Sequence, residues 1–312
     1  MVRTLKKTLI IVGIVLGVIV IGVGGYAYYL YHMAQKTAEK IYEPPKKGEK
    51  HIPVSKPGDD GNKRPLSFLL MGVDQRKGDV GRSDTLIVAT LNPKNNSMKM
   101  VSIPRDTRVN IPADGPHGGI HKINAAYAYG GPELAIETVK SFLDIPIDYY
   151  VRINMEGFAD LVDAVGGVTV YNNGTAWHDE GFYKKGYYYA KGKLDLDGPK
   201  ALGYVRMRHF DSDFGRNERQ REVIQAIVNK AANFSSLTRY DNILNAVGNN
   251  VKTDLTFSDM KDLVSDYRDA RNHITSYEMK GDGRMIDKTY YFVVSDAEKQ
   301  KVHDMIMKEL KS

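Results

Sequence analysis

The longest apolar run comes first: Leu9 to Tyr31 carries no formally charged side chain, enough for an α-helix to cross a hydrocarbon core of about 30 Å. Arg3, Lys6 and Lys7 precede it, and Tyr26, Tyr28, Tyr29 and Tyr31 close it in the manner of an interfacial aromatic belt. The pattern predicts a signal-anchor helix over 9–31, with residues 1–8 cytoplasmic and the rest of the chain outside the cell. A cleaved signal peptide fits less well, because its apolar region is shorter and ends in small residues rather than tyrosines.

Residues 32–64 then lose their apolar content and gain Pro44, Pro45, Pro53 and Pro57 with a turn-like Pro57-Gly58-Asp59-Asp60-Gly61, which reads as an extracytoplasmic stalk. From residue 65 to 312 the periodicity is that of one domain. Apolar runs at Leu66 to Val73, Thr85 to Leu91 and Met98 to Ile103 predict three successive strands, the last two joined by Asn92-Pro93-Lys94-Asn95-Asn96. A helical stretch at Ala125 to Tyr129, a helix from Pro132 to Leu143 and a strand from Tyr149 to Ile153 follow.

A helix from Met155 to Val165 stops at Gly166-Gly167, before a strand at Val168 to Val170. Gly174 to Lys193 reads as a loop or hairpin insertion, Leu202 to His209 as a strand, and Asn217 to Ala232 as a long helix. Phe257 to Tyr267 is predicted helical and Tyr290 to Val294 a late strand. The sum is an α/β fold, a mixed central β-sheet flanked by helices, in a single extracytoplasmic domain after one N-terminal transmembrane helix.

Composition narrows this only a little. A net charge of +6 suits an anionic partner, whether nucleic acid, membrane or acidic polymer; the outward orientation argues against nucleic acid. With no cysteine there is neither a disulfide framework nor a thiolate metal site. Nucleophile elbow, HExxH, P-loop and Rossmann glycine patterns are missing, and the histidines lack ligand spacing.

The candidate chemistry gathers at strand ends. If the three early strands form an up-down-up meander, one sheet edge collects Asp74, Asp84, Asp106, Arg82 and Arg105. Carboxylates with guanidinium groups in a small patch can hold a metal-bridged phosphate; salt bridges between loop residues are the bland alternative for any one of them. Strand alternation over 204–208 would place Arg206 and Arg208 on one face with Tyr204. Helical spacing puts Arg216, Arg219 and Gln220 on the side of Val223 and Ile227, where guanidinium groups near a helix start point to a shared anion unless Glu218 and Glu222 neutralise them.

These segments resemble a known family. Gly72-Val73-Asp74, Gly81-Arg82-Ser83-Asp84-Thr85, Asn92-Pro93-Lys94, Ser102 through Thr107, Lys122 through Tyr127, Gly166-Gly167-Val168 and Arg216 through Gln220 are similar, in order, to the LytR-CpsA-Psr cell-wall enzymes. Within that family the chain most resembles the polyisoprenyl-teichoic acid–peptidoglycan teichoic acid transferases of Gram-positive bacteria. The resemblance implies transfer of an anionic glycopolymer from a polyprenyl-pyrophosphate-linked donor to peptidoglycan, at the membrane surface and with Mg²⁺ or Mn²⁺. It implies Asp74 and Asp84 as metal ligands and Arg82, Arg105, Arg206, Arg208, Arg216 and Gln220 around the pyrophosphate, with Arg219 supporting. Asp84, Arg105 and Asp106 are the expected catalytic residues, Asp106 or another carboxylate receiving the acceptor hydroxyl proton. An apolar pocket for the polyprenyl chain is expected beside the arginines. A lipid-pyrophosphate hydrolase and a noncatalytic polymer-binding scaffold are the rival readings.

Overall fold

The apolar runs that open the domain become adjacent strands of one sheet. The computed structural model describes residues 24–45, 51–58, 61–74, 80–181, 183–207, 212–232 and 240–312. Within them β1 (Leu66–Val73), β2 (Ser83–Asn92) and β3 (Ser97–Ser102) pair antiparallel as the expected meander. β4 (Arg108–Ile111) and β5 (Gly119–Lys122) form a separate small hairpin.

The second helical stretch is one element with a break. Helix α2 (Ala125–Leu143) leaves helical geometry at Gly130 and Gly131, where Gly131 has φ +68°, and resumes at Pro132. Glycine tolerates that dihedral and proline cannot donate to the preceding turn, so the two predicted pieces are real segments of a kinked helix. β6 (Tyr149–Asn154) then pairs parallel with β1. Helix α3 (Met155–Ala164) ends at Gly166 and Gly167, both with positive φ, and β7 (Val168–Asn172) follows.

The insertion holds a short hairpin, β8 (Trp177–His178) and β9 (Tyr188–Tyr189), before β10 (Gly192–Leu196) returns to pair with β7. Here one expectation fails. Leu202 to His209 is not a strand: 198–206 is helix α4 (Gly198–Arg206), and 208–209 lie outside the described residues. Asp197 Oδ1 accepts from the Lys200 amide at 2.9 Å and Pro199 stands in the first turn, an N-cap signature. Ala201, Leu202, Tyr204 and Val205 are all buried, which a two-residue alternation cannot produce.

Helix α5 (Ser212–Ala232), helix α6 (Tyr240–Asn250) and strand β11 (Val251–Thr253) come next. Helix α7 (Phe257–Asp266) opens with a reciprocal cap between Thr256 and Asp259. β12 (His273–Glu278), the hairpin of β13 (Asp282–Ile286) and β14 (Thr289–Val293), and helix α8 (Asp296–Lys311) close the chain.

The main sheet has the order β11-β6-β1-β2-β3-β12, mixed because β1/β6 and β3/β12 run parallel. Leu69, Met71, Leu86, Val88 and Val101 face α2 and α8 through Val139, Leu143, Val302 and Ile306. Phe68, Ile87, Ala89 and Met100 face the other way, toward Tyr149, Leu255 and Tyr267. Burial on both faces explains why these strands read as predominantly apolar runs rather than as a strict alternation.

Described residues within the segment expected as a stalk touch the domain. Residues 24–41 are helical, and this helix, α1, buries Ala38 and Ile41. Tyr42 bridges Thr253 of β11, and Glu43 Oε1 pairs with Arg152 Nη2 at 3.0 Å. Further on, His51 Nε2 contacts Asp259 Oδ2 at 2.8 Å, and the Val54 amide donates to Asp259 Oδ1 at 2.9 Å. Tyr42, Glu43, His51 and Val54 read as solvated because their partners lie 109 to 211 residues away. Of the expected spanning helix, 9–23 lie outside the described residues and 24–31 belong to α1; among the described residues no helix is long and apolar enough to cross a membrane.

Candidate functional site

The meander sends the C-terminal ends of β1 and β3 and the N-terminal end of β2 to one edge, with Val73 opposite Ser83. Asp74 leaves β1 with its amide donating to the Arg82 carbonyl at 3.2 Å, while Gly81 takes φ +78° to turn the chain into β2. Asp84 follows in β2 and Arg105 comes from the turn after β3. Their side chains meet, Arg105 Nη1 donating to Asp84 Oδ1 at 2.9 Å.

A second pair crosses the fold. Arg206, at the end of α4, donates through Nη2 to Asp74 Oδ1 at 3.2 Å. Its guanidinium lies 5.7 Å from the centroid of the Tyr183 ring. Asp106 belongs to the same edge, but Lys122 of β5 holds its Oδ1 at 2.9 Å and Arg105 Nε lies 3.8 Å from its Oδ2. Arg82 is exposed beside them. Both Arg105–Asp84 and Arg206–Asp74 are only partly buried, each side chain retaining 21–29% of its exposure.

The α5 residues stand differently. Arg216, Arg219 and Gln220 are 2–5% exposed. Arg219 donates from Nε to the Tyr204 carbonyl at 2.8 Å and from Nη2 to the Met207 carbonyl, and it lies 5.3 Å from the Trp177 ring centre. It ties the end of α4 to α5 and so sets where Arg206 emerges. The helix begins at Ser212, which puts Arg216 in its second turn rather than at its dipole end. Arg208 lies outside the described residues.

Gln220 marks the border with an apolar cavity of about 290 Å³. Gly72 and Thr85 line it next to the polar edge, and Leu70, Ile153, Phe158, Leu161, Ile224 and Ile227 line the rest. A Cβ at Gly72 would come within 3.0 Å of Thr85 and 3.2 Å of Met155 Sδ, so the glycine keeps this space open. Among the described residues Gln220 Oε1 is buried without a hydrogen-bond partner, and Gln220 is also one of the residues lining the cavity.

Sequence reasoning missed three participants. Lys122, which grips Asp106, sits within the motif running to Tyr127 and was legible there as a cation beside a strand end. Tyr183, beneath Arg206, carried no separable signal among so many tyrosines. Glu278 of β12 receives Asn217 Nδ2 at 2.7 Å and Arg221 Nη1 at 3.4 Å, joining α5 to the far edge of the sheet; burial pushes its carboxyl above the usual range.

Two carboxylates from neighbouring strand ends, next to arginines that prefer phosphate, match the donor set of Mg²⁺, which takes one or two carboxylates and completes its shell with substrate oxygens and water. Among the described residues no cluster of three or more acidic or histidine ligands occurs.

Comparison with known proteins gives the same picture a lineage. The LytR_cpsA_psr family pattern matches residues 28–308. The chain is 47% identical over 315 aligned positions to the polyisoprenyl-teichoic acid–peptidoglycan teichoic acid transferase TagU of Bacillus subtilis, covering 99% of this chain and 97% of that protein. The crystal structure of B. subtilis TagU superposes with a TM-score of 0.64 at 42% identity, over 80% of this chain and 98% of that one. TagT bound to LIIa-WTA superposes with a TM-score of 0.72 at 34% identity, over 87% of this chain and all of that one.

Proposed function

The chain belongs to the LytR_cpsA_psr family, and on that premise we propose that it transfers an anionic wall glycopolymer, wall teichoic acid in the first instance, from a polyprenyl-pyrophosphate-linked donor to peptidoglycan. One observation carries this reading: two arginine–carboxylate pairs adjoin an apolar cavity, Asp84 and Arg206 being the chain neighbours of its lining residues Thr85 and Val205, and Asp74 following two residues after Gly72. A molecule with a charged phosphate end and a hydrocarbon tail is what that juxtaposition accommodates. The names of the relatives, teichoic acid transferase and a protein bound to LIIa-WTA, support the same polymer class.

In the proposed reaction a peptidoglycan sugar hydroxyl attacks the phosphorus that carries the glycopolymer. A new P–O bond forms, the anhydride P–O–P bond breaks, polyprenyl phosphate leaves with the bond electrons, and the hydroxyl proton passes to a carboxylate. Arg105 and Arg206 exchange their aspartate partners for phosphate oxygens and stabilise the charge gathering on them. Arg82, Arg208, Arg216 and Gln220 complete the pyrophosphate contacts. Arg219 braces α4 so that Arg206 is presented to the phosphate. Asp106 fixes the Arg105 guanidinium or receives the proton. Mg²⁺, held by Asp74 and Asp84 when bound, would neutralise phosphate charge.

By the same reading residues 9–31 cross the membrane with the N-terminus inside, and the domain works on the outer face beside the lipid that carries its donor. The tail of that lipid would occupy the cavity, its burial contributing about 25 cal/mol for each Å² of apolar surface removed from water.

The test is product analysis with full chain in nanodiscs, defined lipid-linked donor and peptidoglycan. A polymer–peptidoglycan phosphodiester and polyprenyl phosphate are expected, with loss of turnover in chelator and recovery on adding Mg²⁺. Free polymer phosphate alone, with acceptor in excess, would make the protein a hydrolase. Donor binding that persists in chelator with no turnover would make it a scaffold.

A further inference from the structure

The N-terminal helix bears on how the domain meets the lipid. α1 and α6 run side by side in the same direction. At one end Tyr26 lies within electrostatic reach of Tyr240 and Asp241. At the other, Lys40 Nζ donates to Asn249 Oδ1 at 2.6 Å and Lys252 Nζ donates to the Lys40 carbonyl at 2.9 Å. Between them Thr37 packs close to Gly248, which would put a Cβ 3.4 Å from Thr37 Cγ2. Tyr31 meets Phe257 of α7 edge-on at 5.3 Å. The Glu43 amide then donates to the Thr253 carbonyl at 2.7 Å, so the helix is clamped to a strand of the main sheet.

Residues 24–31 of α1 contrast with its packed half. Tyr28, Tyr29 and Tyr31 expose 67%, 49% and 49% of their surface, and Tyr240 at the start of α6 exposes 37%. Tyrosines around a helix circumference cannot all serve one protein contact. They suit a layer that is apolar on one side and wet on the other. The chain that precedes Gly24 is uncharged back to Leu9 and leads into α1 without a proline or a charged break.

We propose that this end of the molecule, the tyrosine-bearing residues 26–31 of α1 together with the start of α6, seats in the headgroup layer of the bilayer, α1 being packed on the domain rather than a free tether. The inference rests on the reading of 9–31 as a membrane span, and its partner is the lipid surface itself. From Tyr31 to Tyr42 a helix rises about 16 Å at about 1.5 Å per residue, so β11 stands one short helix above the tyrosine layer. Val251 of that strand also lines the apolar cavity. A donor lifted from the bilayer would therefore meet the cavity at β11, where Val251, Ile153 and Gly72 lie side by side across three strands and lead to the arginine edge.

The natural absence of cysteine makes the test direct. Single cysteines at Tyr28 and at the exposed Asn242 of α6, introduced as Tyr28→Cys and Asn242→Cys in the full chain, carry an environment-sensitive fluorophore in nanodiscs of phosphatidylglycerol and phosphatidylethanolamine with a headgroup-borne nitroxide quencher. Docking predicts that both labels lose emission by about twofold or more, as groups at an interface do. Quenching at Tyr28 with full emission at Asn242 would overturn the docking and leave the anchor intact, the domain then standing off the lipid. Self-quenching at Asn242 between copies, without quenching by lipid, would replace the bilayer by a second chain as the partner. Full emission at both positions would remove the anchor reading and the docking with it.

Discussion

Two groups of arginines meet at the candidate site and are held in opposite ways. On the strand edge, Arg105 and Arg206 are partly exposed and grip the aspartates at 2.9 and 3.2 Å. On α5, Arg219 and Arg221 are nearly buried and donate to the Tyr204 and Met207 carbonyls, to Ser102 Oγ and to Glu278. An exposed pair costs little to open and can exchange its carboxylate for a phosphate. A buried guanidinium satisfied by carbonyls cannot leave without stranding them. Under the proposed function one residue type would thus serve the ligand at the edge and the framework one layer in.

Substitution at the edge should break this contrast most clearly. Asp84→Ala or Arg105→Ala is expected to lower transfer by about 10²- to 10³-fold, the scale of losing one charge-stabilising group, with the melting temperature little changed. Unchanged turnover would remove the edge from the mechanism. On the framework side, Arg219→Ala strands two carbonyls and is expected to cost about 3 kcal/mol of stability, since each buried polar group left unpaired costs roughly 1–3 kcal/mol, read as a lower thermal midpoint. Donor binding lost at full stability would instead make Arg219 a phosphate ligand.

The cavity gives a smaller and more selective effect. Ile227→Trp should raise KM about tenfold for long-chain donors and leave short-tailed, water-soluble donors unaffected, the discrimination expected of a filled apolar pocket. Equal effects on both would place the tail elsewhere. The smallest expected effect is one of pH. Burial raises the Asp254 carboxyl to about 6, although the Tyr150 amide donates to its Oδ1 at 2.9 Å and His51 opposes the shift. Its unfolded value is about 3.9, so between these values the native state holds the extra proton and stability falls as pH rises through the window. Asp254→Asn, with no such proton to lose, should gain on the parent in thermal midpoint from pH 4 to pH 7; a constant gap would show that Asp254 titrates normally.

Much of the fold and of the site edge is legible in the residues alone, for reasons that particular positions show. Leu66–Val73 is readable to the residue because burial on both faces leaves Ser67 as its one polar residue. The α2 break is readable because Gly130, Gly131 and Pro132 permit nothing else there. Asp74, Asp84 and Arg105 converge because short connections force a meander, and a meander puts alternate strand ends together. The segment around Tyr204 is not readable in the same way. Its alternating arginines fit a strand as well as a helix end, and only the Asp197 cap and the packing of α4 against α3 and α5 choose.

The sequence by itself determined what is local: apolar runs long enough to pair, turns where glycine or proline leaves one option, and the residue types from which a phosphate site can be built. Tertiary structure decided what is distant. Whether Arg206 meets Asp74, whether Arg219 faces a ligand or the Tyr204 carbonyl, and whether residues 32–45 and 51–58 hang free or lie on β11, α6 and α7 all depend on contacts between positions more than a dozen to some two hundred residues apart. Composition carries no record of such partners, because a lysine reads as solvated until the fold supplies the asparagine it binds.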